Sequence, residues 1–544
     1  MLKKWKRSGK AIGLTLLALT LMIVAGCQAL GGVDFNEMLK QSVKVSSMES
    51  KQNIEFKLLL ADGALDGEDE ELTTLVKWIS QINLELDDIK MSEGGNISLN
   101  GKLILNGKSI GFSLKANDKL LELNLEGVKK PVVIRLDDEL LGGLYADDLY
   151  PGNDGTAEDK EAMTKTAKQI VDIVSGYAIN NLPNPSKLTV EAGQEPVNGE
   201  SVAGMRIHAE LNGPELWDWA GKYVDALLND KEGLNAMIAA LFDALEEQTD
   251  LVGSVAGESI FGTLPKEDEK QAAVEEASES IASFLTEMRE GMNESDPQSV
   301  NEILNEKTYI KIDLFVDSKL DIRKSTVEAS IVPQFDDSAA AAAETDELTS
   351  MGDELSDSPF EGIWIKLSGE TWNVNGAVTP EVPVDSPKAL HETDLDAMEG
   401  YQLLRQLESN STLYGLLRND LEINKQSVQF NADYSSNPVI RTPAGVTIIP
   451  LRETVEQLGA TLTKDAATGK ITIYDDATYT TLVLKAGSNQ AVVNGKTLKW
   501  AFPTTVVQGV TYVSARDLVK ALGGELEWQD WYETNDTLVI NRQP

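Results

Sequence analysis

Residues 445–459 read GVTIIPLRETVEQLG, and residues 509–523 read GVTYVSARDLVKALG. In each copy a short apolar strand runs into an amphipathic helix with one buried stripe. Gly459 and Gly523 stand where a helix C-terminus favours a left-handed residue. One copy alone has little apolar surface to bury, so the two copies are predicted to fold together as a single unit.

The two helices are predicted to begin differently. Pro450 suits a first helical turn, where its missing N–H costs nothing. Ser514 is predicted to cap the second helix, with Asp517 completing a variant of the capping box. The predicted buried stripe comprises Val455, Leu458, Val519 and Leu522.

Further strands are predicted around each copy, at 461–464, 470–474, 525–528 and 537–540, with a hairpin turning at Asn494-Gly495. The G-x-T-x-x-P-x-R…V-x-x-L-G-A pattern, the VVNGKTL hairpin and the Tyr-Val-x-x-Arg start of copy two resemble the copper amine oxidase N-terminal-like domain, or stalk domain. The resemblance covers residues 435–542. It implies a small α+β module with an antiparallel sheet packed on helices.

Catalytic chemistry is not predicted. Copper oxidase chemistry needs several imidazoles around the metal, and this chain has only His208 and His391, in different segments. The sequence contains no H-E-x-x-H motif and no Walker loop. We therefore expect a protein that is not an enzyme and has no metal, catalytic residue or cofactor.

Arg452 and Arg516 are the candidate contact residues of the repeats. A cation in the first turn of a helix faces the positive end of the helix dipole, so another group should compensate it. That group is either a local carboxylate or a bound anion such as a cell-wall polymer. Three tryptophans could pack in the core or stack on sugars, namely Trp500, Trp528 and Trp531.

The N-terminus has the features of an export signal. Five basic residues precede an apolar run that ends in Val24-Ala25-Gly26-Cys27. This ending resembles a bacterial lipobox, which implies cleavage of residues 1–26 and acylation of Cys27. Two acyl chains would attach the protein stably to the membrane. Residues 27–33 then form the lipidated Cys and a tether, and the protein is expected on the extracytoplasmic face of the cell membrane.

The chain of 544 residues has a net charge of −40. Such a surface repels phosphate backbones, which argues against nucleic acid as a partner. It also repels anionic lipid headgroups, so attachment should depend on the lipid at Cys27. The acidic surface serves solubility or attracts divalent cations or a basic partner. The remaining partner classes are a cell-wall polymer or another envelope protein.

Residues 34–390 are predicted to form a large α+β domain. Alternating apolar residues predict strands at 54–60, 82–86, 103–105, 110–114, 121–125, 202–211, 309–316, 320–332 and 362–367. Helical spacing predicts helices at 163–178, 216–227, 234–245 and 274–288. Residues 335–359 are predicted to be an acidic loop. Residues 391–434 are predicted to be a connector, with one helix at about 394–417.

The large domain is more faintly similar to the lipoprotein-carrier-like half-barrels. That resemblance implies a curved sheet whose concave face holds acyl chains against helices. Two functions stay open: a binding or scaffolding protein at the cell envelope, and a carrier of a lipid or other hydrophobic ligand. The helices at 163–178 and 216–227 are long enough to cover the meander at 103–125 and are expected to do so. Because the negative net charge disfavours an anionic lipid headgroup, no tightly bound lipid is expected there.

Overall fold

The computed structural model describes most of residues 34–544 and divides them into two compact units. The first unit lies within residues 1–125 and 131–389, and the second contains residues 126–130 and 390–544. The description excludes residues 1–33, 62, 67–69, 137–156, 247–267, 335–359, 432–436 and 530–536. The predicted signal peptide, Cys27, the tether and the acidic loop 335–359 therefore lie outside the described residues.

The first unit is built on one antiparallel sheet. Its strands are β1 (Met48–Leu60), β2 (Gln81–Met91), β3 (Ile97–Leu105), β4 (Lys108–Ala116), β5 (Leu120–Leu125), β6 (Val132–Arg135), β7 (Lys187–Val197), β8 (Glu200–Asn212), β9 (Tyr309–Asp317), β10 (Ile322–Ile331) and β11 (Phe360–Trp372). Their order is β6-β5-β4-β3-β2-β1-β11-β10-β9-β8-β7. The predicted α+β class with one sheet interrupted by helices is confirmed.

The sequence did not predict β6 or β7, of which β7 lies at an edge of the sheet. β6 is short, and β7 alternates polar residues and contains Pro196. A proline cannot donate a ladder hydrogen bond and is tolerated at a sheet edge. The Asn106-Gly107 turn joins β3 to β4 with φ of 45° and 75°, as its sequence favours.

The helices of the first unit are α1 (Phe35–Val43), α2 (Glu70–Ile79), α3 (Ala157–Asn180), α4 (Gly213–Asn229), α5 (Lys231–Glu246), α6 (Lys270–Glu294) and α7 (Pro297–Ile303). The four helices predicted in this region are present as α3 to α6. α4 follows β8 directly, because Asn212 and Glu215 form a capping box at its N-terminus. In the described part of the chain, no helix combines the length and apolar character needed to cross a membrane.

The main core of the first unit lies over β8, β9 and β10. Leu216 and Trp219 of α4 and Ile179 of α3 pack there with Ile207 and Ile312. The expectation that α3 and α4 cover the meander at 103–125 is therefore wrong. Because the capping box at Asn212 starts α4 directly after β8, with no connecting loop, the helix packs on β8 and on its neighbouring strands.

The second unit begins with short helical turns. They are α8 (Glu392–Asp396), α9 (Gly400–Arg405), α10 (Thr412–Gly415) and a π-helical turn at Leu416–Asp420, preceded by β12 (Leu390–His391). The expected single helix at about 394–417 is therefore wrong. The Ser411 hydroxyl accepts a hydrogen bond from the Tyr414 N–H and starts a separate helix at this point.

Three small antiparallel sheets and two helices complete the second unit. The strands are β13 (Gln426–Asn431), β14 (Ile440–Arg441), β15 (Thr447–Pro450), β16 (Thr461–Lys464), β17 (Lys470–Asp475), β18 (Thr480–Lys485), β19 (Gln490–Val493), β20 (Lys496–Lys499), β21 (Thr505–Val507), β22 (Val510–Ser514), β23 (Glu525–Gln529) and β24 (Thr537–Arg542). The helices are α11 (Leu451–Gln457) and α12 (Ala515–Ala521). The sheet orders are β13-β24-β23, β14-β15-β22-β21 and β16-β17-β18-β19-β20.

The two copies of the repeat pair with each other at β15 and β22. Ile449 lies opposite Val513, its counterpart in the other copy, so the pairing is locally two-fold symmetric. Both side chains are fully buried in one core that draws residues from both copies. The predicted buried stripe of Val455, Leu458, Val519 and Leu522 belongs to this core.

The helix starts differ from expectation in both copies. Pro450 is the residue before α11 rather than a member of its first turn. The Ser514 side chain makes no capping hydrogen bond, so the predicted capping box is wrong. The Asp517 carboxylate instead accepts a hydrogen bond from the Ala501 N–H at 2.8 Å, which ties the loop before β21 to α12.

Candidate functional site

The inner face of the first sheet is apolar along its whole width. Cross-strand pairing carries this face from Leu84 through Ile54, Leu367 and Val327 to Ile312. The half that lies on β1 to β5 consists of half-buried side chains outside the core clusters. They are Ile54, Phe56, Leu58, Ile82, Leu84, Leu86, Leu103, Leu105, Phe112, Leu114, Leu121 and Leu123. We call these residues the meander face.

Apolar side chains left partly accessible over five neighbouring strands form an extended surface. Large accessible apolar patches mark interaction sites, and each of these side chains is partly accessible. Gly101 contributes to its shape, because a Cβ there would meet the Phe112 ring at 2.5 Å. The glycine therefore lets the phenylalanine ring lie flat on the strand of Gly101.

A cavity of about 310 Å³ lies at one end of the same sheet, between α1 and the ends of β1, β2 and β11. Its walls are mostly apolar, formed by Val45, Met48, Met91, Leu320, Ile322 and Val374. The polar groups at the lining belong to Gln41, Ser42, Asp321 and Thr371. A cavity of this size can hold a small ligand.

Asp321 is the charged group of this cavity and is only 9% exposed. Its carboxylate accepts a hydrogen bond from the Gln41 side-chain amide at 2.7 Å. The neighbouring carboxylate, Asp317, has a cationic partner in Arg323 at 2.9 Å. Asp321 makes no ion pair of its own with a described residue, so its charge is met by an amide dipole.

The outer face of the sheet is polar. A row of alternating charges crosses five strands, in the order Glu210, Lys311, Glu328, Lys366 and Glu55. Opposite charges on directly opposed residues stabilise a sheet. The pKa of Glu328 is lowered, first by the hydrogen bond from the Tyr309 hydroxyl. The outer face is therefore interpreted as a solvent-facing surface stabilised by these pairs, and not as a ligand site.

Arg452 and Arg516 lie in equivalent first turns but in different surroundings. Arg452 pairs with Glu456, one turn later, at 2.6 Å, and both side chains are exposed. Lys520 occupies the corresponding place in copy two, so Arg516 lacks that partner. Arg516 is exposed and makes no ion pair with a described residue. Local compensation therefore applies to Arg452 alone.

The three tryptophans also differ from one another in their surroundings. Trp500 is buried in the core of the repeats. Trp528 is half-buried, and the Arg441 guanidinium lies 4.5 Å from its ring centroid. This arginine occupies a ring face that a sugar would need. Trp531 lies outside the described residues.

The two histidines lie in different units. The His208 imidazole contacts the Asp313 carboxylate at 2.7 Å, whereas His391 precedes α8. Within the described residues, no group of three His, Cys, Asp or Glu side chains is placed to hold a metal ion.

One sequence pattern associated with catalysis is present. Residues 107–111 read GKSIG, which has the G-x-S-x-G spacing of a nucleophile elbow. An elbow places its serine between a strand and a helix. Ser109 instead lies on β4 just after the β3–β4 turn, opposite Ile104. The elbow geometry is not formed.

Sequence reasoning missed the most buried ion pair of the second unit. The Arg542 and Asp475 side chains are each 1% exposed, with Nη1 and Oδ2 2.6 Å apart. Arg542 also donates to the carbonyls of Leu458 at 2.6 Å and Leu522 at 3.3 Å, and to the Gln426 amide oxygen at 2.7 Å. Those two carbonyls end α11 and α12. One guanidinium therefore satisfies the C-termini of both repeat helices.

Comparison with known protein families finds a match within the second unit. Residues 422–536 match the family model described as copper amine oxidase N-terminal domain. No curated protein matches the chain. The matched range includes β13, which pairs with β24 and lies before the predicted start of the domain at residue 435. The resemblance expected for the C-terminal repeats is confirmed over this range, and the matched family domain is not a catalytic one.

Proposed function

We propose that this protein is a lipoprotein anchored to the extracytoplasmic face of the cell membrane through acylated Cys27, where it acts as a non-catalytic binding or scaffolding protein. The observation that carries the proposal is the apolar run ending in Val24-Ala25-Gly26-Cys27. The match of residues 422–536 to a non-catalytic domain supports the absence of enzyme activity.

Anchoring is tested by labelling cells with radioactive palmitate and separating membrane from soluble fractions. Cys27→Ala should lose the label and the processed form, and globomycin should block processing of the unaltered chain. Gln28→Ala is the matched control, because it changes the next residue and leaves the acyl acceptor in place. A Cys27→Ala chain that still takes up label would refute acylation at this site.

A scaffolding protein must bind a partner, and we propose that this partner binds the second unit. Arg516 supports an anionic partner, such as a wall polymer or an acidic envelope protein, because its guanidinium is exposed and has no ion pair with a described residue. Arg516→Gln should weaken sedimentation of the protein with purified cell walls. Lys520→Gln removes an equal charge one turn away and should have a smaller effect.

A second candidate function is binding of a hydrophobic ligand at the meander face. The observation that favours it is the partial exposure of apolar side chains across β1 to β5. Covering such a surface contributes about 25 cal/mol per Å² of apolar area removed from water. The expectation of no tight lipid rested on the negative net charge and on helices packed over the meander, and the main core lies over β8 to β10 instead.

This second function can be tested with two adjacent residues. Leu103 lies on the meander face, and Ile104 lies on the outer face. Leu103→Asn should reduce the amount of lipid that co-purifies in native mass spectrometry, whereas Ile104→Asn should leave it unchanged. Equal loss in both variants, or no lipid on the unaltered protein, would refute a hydrophobic ligand at this face.

A further inference from the structure

The cavity next to α1 combines apolar walls with one buried carboxylate. Burying an ionised carboxylate is unfavourable unless an opposite charge or several hydrogen bonds compensate it. Asp321 is 9% exposed, and its carboxylate accepts a hydrogen bond from the Gln41 side-chain amide. One neutral amide does not neutralise the charge.

The cations closest along the chain are engaged elsewhere or exposed. Arg323 donates to the Asp317 carboxylate at 2.9 Å and to the Thr371 carbonyl at 2.9 Å. Lys319 is exposed, and its carbonyl accepts a hydrogen bond from Gln41. Arg323 is thus paired with Asp317, and Asp321 has no ion pair with a described residue at the cavity wall.

The backbone beside this carboxylate is unusual. Leu320 has a φ of 65°, a conformation that few residues other than glycine adopt, and its side chain lines the cavity. The Leu320 N–H donates to the Asp317 carbonyl in the turn between β9 and β10, which accounts for this conformation. The left-handed turn at Leu320 brings an apolar side chain and the Asp321 carboxylate to the same wall.

We propose that this cavity binds a small organic cation with an apolar body, specifically an alkyl primary ammonium. Its N–H groups would donate to the Asp321 carboxylate, and its alkyl part would lie against Met48, Met91 and Ile322. Methionine side chains adapt readily to such a chain. The proposal requires neither the lipid anchor nor a ligand at the meander face, so it goes beyond the proposed function.

The lining selects among cations. A metal ion needs several ligating side chains, and no group of three His, Cys, Asp or Glu exists in the described part of the chain. A quaternary ammonium is bound through aromatic rings, and the residues described at the cavity lining include none. A primary ammonium needs only one carboxylate and an apolar wall, and this cavity provides both.

The test compares three probes with the same chain length by titration calorimetry on the full chain: octylamine, octanol and octanoate. Octylamine should bind about tenfold more tightly than octanol, because a charge-assisted hydrogen bond adds to the shared apolar contact. Octanoate should bind most weakly. Asp321→Asn should reduce octylamine to the level of octanol while leaving octanol unchanged.

Asp118→Asn is the matched control, because it makes the same chemical change at an exposed turn. It should retain the preference for octylamine. Met48→Trp fills the cavity and should abolish binding of all three probes, which keeps the test decisive if Asp321→Asn proves unstable. Equal affinities for the three probes, a preference unaffected by Asp321→Asn, or no binding at millimolar probe would each overturn the proposal.

Discussion

Replacing Arg542 by methionine should destabilise the second unit strongly. The substitution leaves the Asp475 carboxylate buried without its cation, and it leaves the carbonyls of Leu458 and Leu522 without their donor. Removing one partner of a buried ion pair costs about 3–5 kcal/mol. We therefore expect the free energy of unfolding of this unit to fall by about 4 kcal/mol.

Hydrogen exchange read by mass spectrometry measures this loss in the full chain. A change of 4 kcal/mol corresponds to about a thousandfold faster exchange. The effect should appear at amides of β15, α11, β22 and α12 that exchange only when the unit unfolds. Peptides from the first unit serve as an internal reference in the same sample.

The matched control is Arg452→Met, the same substitution at the exposed pair with Glu456. Exposed pairs contribute about 0–1 kcal/mol, so exchange should change by less than about fivefold. The double variant Asp475→Asn/Arg542→Met should recover part of the lost protection, because no buried charge remains. Equal exchange in the Arg542→Met and Arg452→Met chains would refute the argument.

Three further outcomes are expected. A fragment of residues 390–544 should unfold in one cooperative thermal transition, whereas residues 432–544 should melt at a lower temperature because they lack β13; an unchanged midpoint would show that β13 adds nothing. A fragment of residues 430–486 should show no transition, since Ile449 loses its partner strand, and a folded half would contradict the pairing. The Arg206 hydrogen bond lowers the pKa of Glu195 below 4.5, so this pair's contribution to the first unit is present above pH 4.5 and is lost as pH falls below it. Melting between pH 6 and 3.5 should show that loss, Glu195→Gln should reduce it, and a flat profile would refute it.

Local signals in the sequence predicted local structure well. The Asn106-Gly107 and Asn494-Gly495 pairs both form turns with positive φ, because those residues tolerate that conformation wherever they occur. Gly459 and Gly523 also have positive φ at the ends of their helices. In each of these cases the determining residues are neighbours in the chain.

Features that depend on distant residues could not be predicted in this way. Arg542 at the end of an apolar strand gave no sign that it reaches Asp475 and two helix ends, because four separate segments meet there. In the sequence nothing distinguishes Asp321 from the many other acidic residues. Only the folded structure shows that Gln41 of α1 donates a hydrogen bond to its carboxylate. Pattern reasoning identified the helices α3 and α4 but not the strands they cover.

Strand pairing shows that Arg542 and Asp475 occupy equivalent positions in the two copies. Thr461 lies opposite Tyr474 in copy one, and Glu525 lies opposite Asn541 in copy two, so the residues that follow, Asp475 and Arg542, hold the same position in their copies. Two identical halves would bring two acids or two bases together on the local dyad. The present pair requires different residues at this position, Asp475 in one copy and Arg542 in the other. A chain that carries both copies thus has a charge complementarity that a homodimer of either half could not have, and each half is a poor partner for itself.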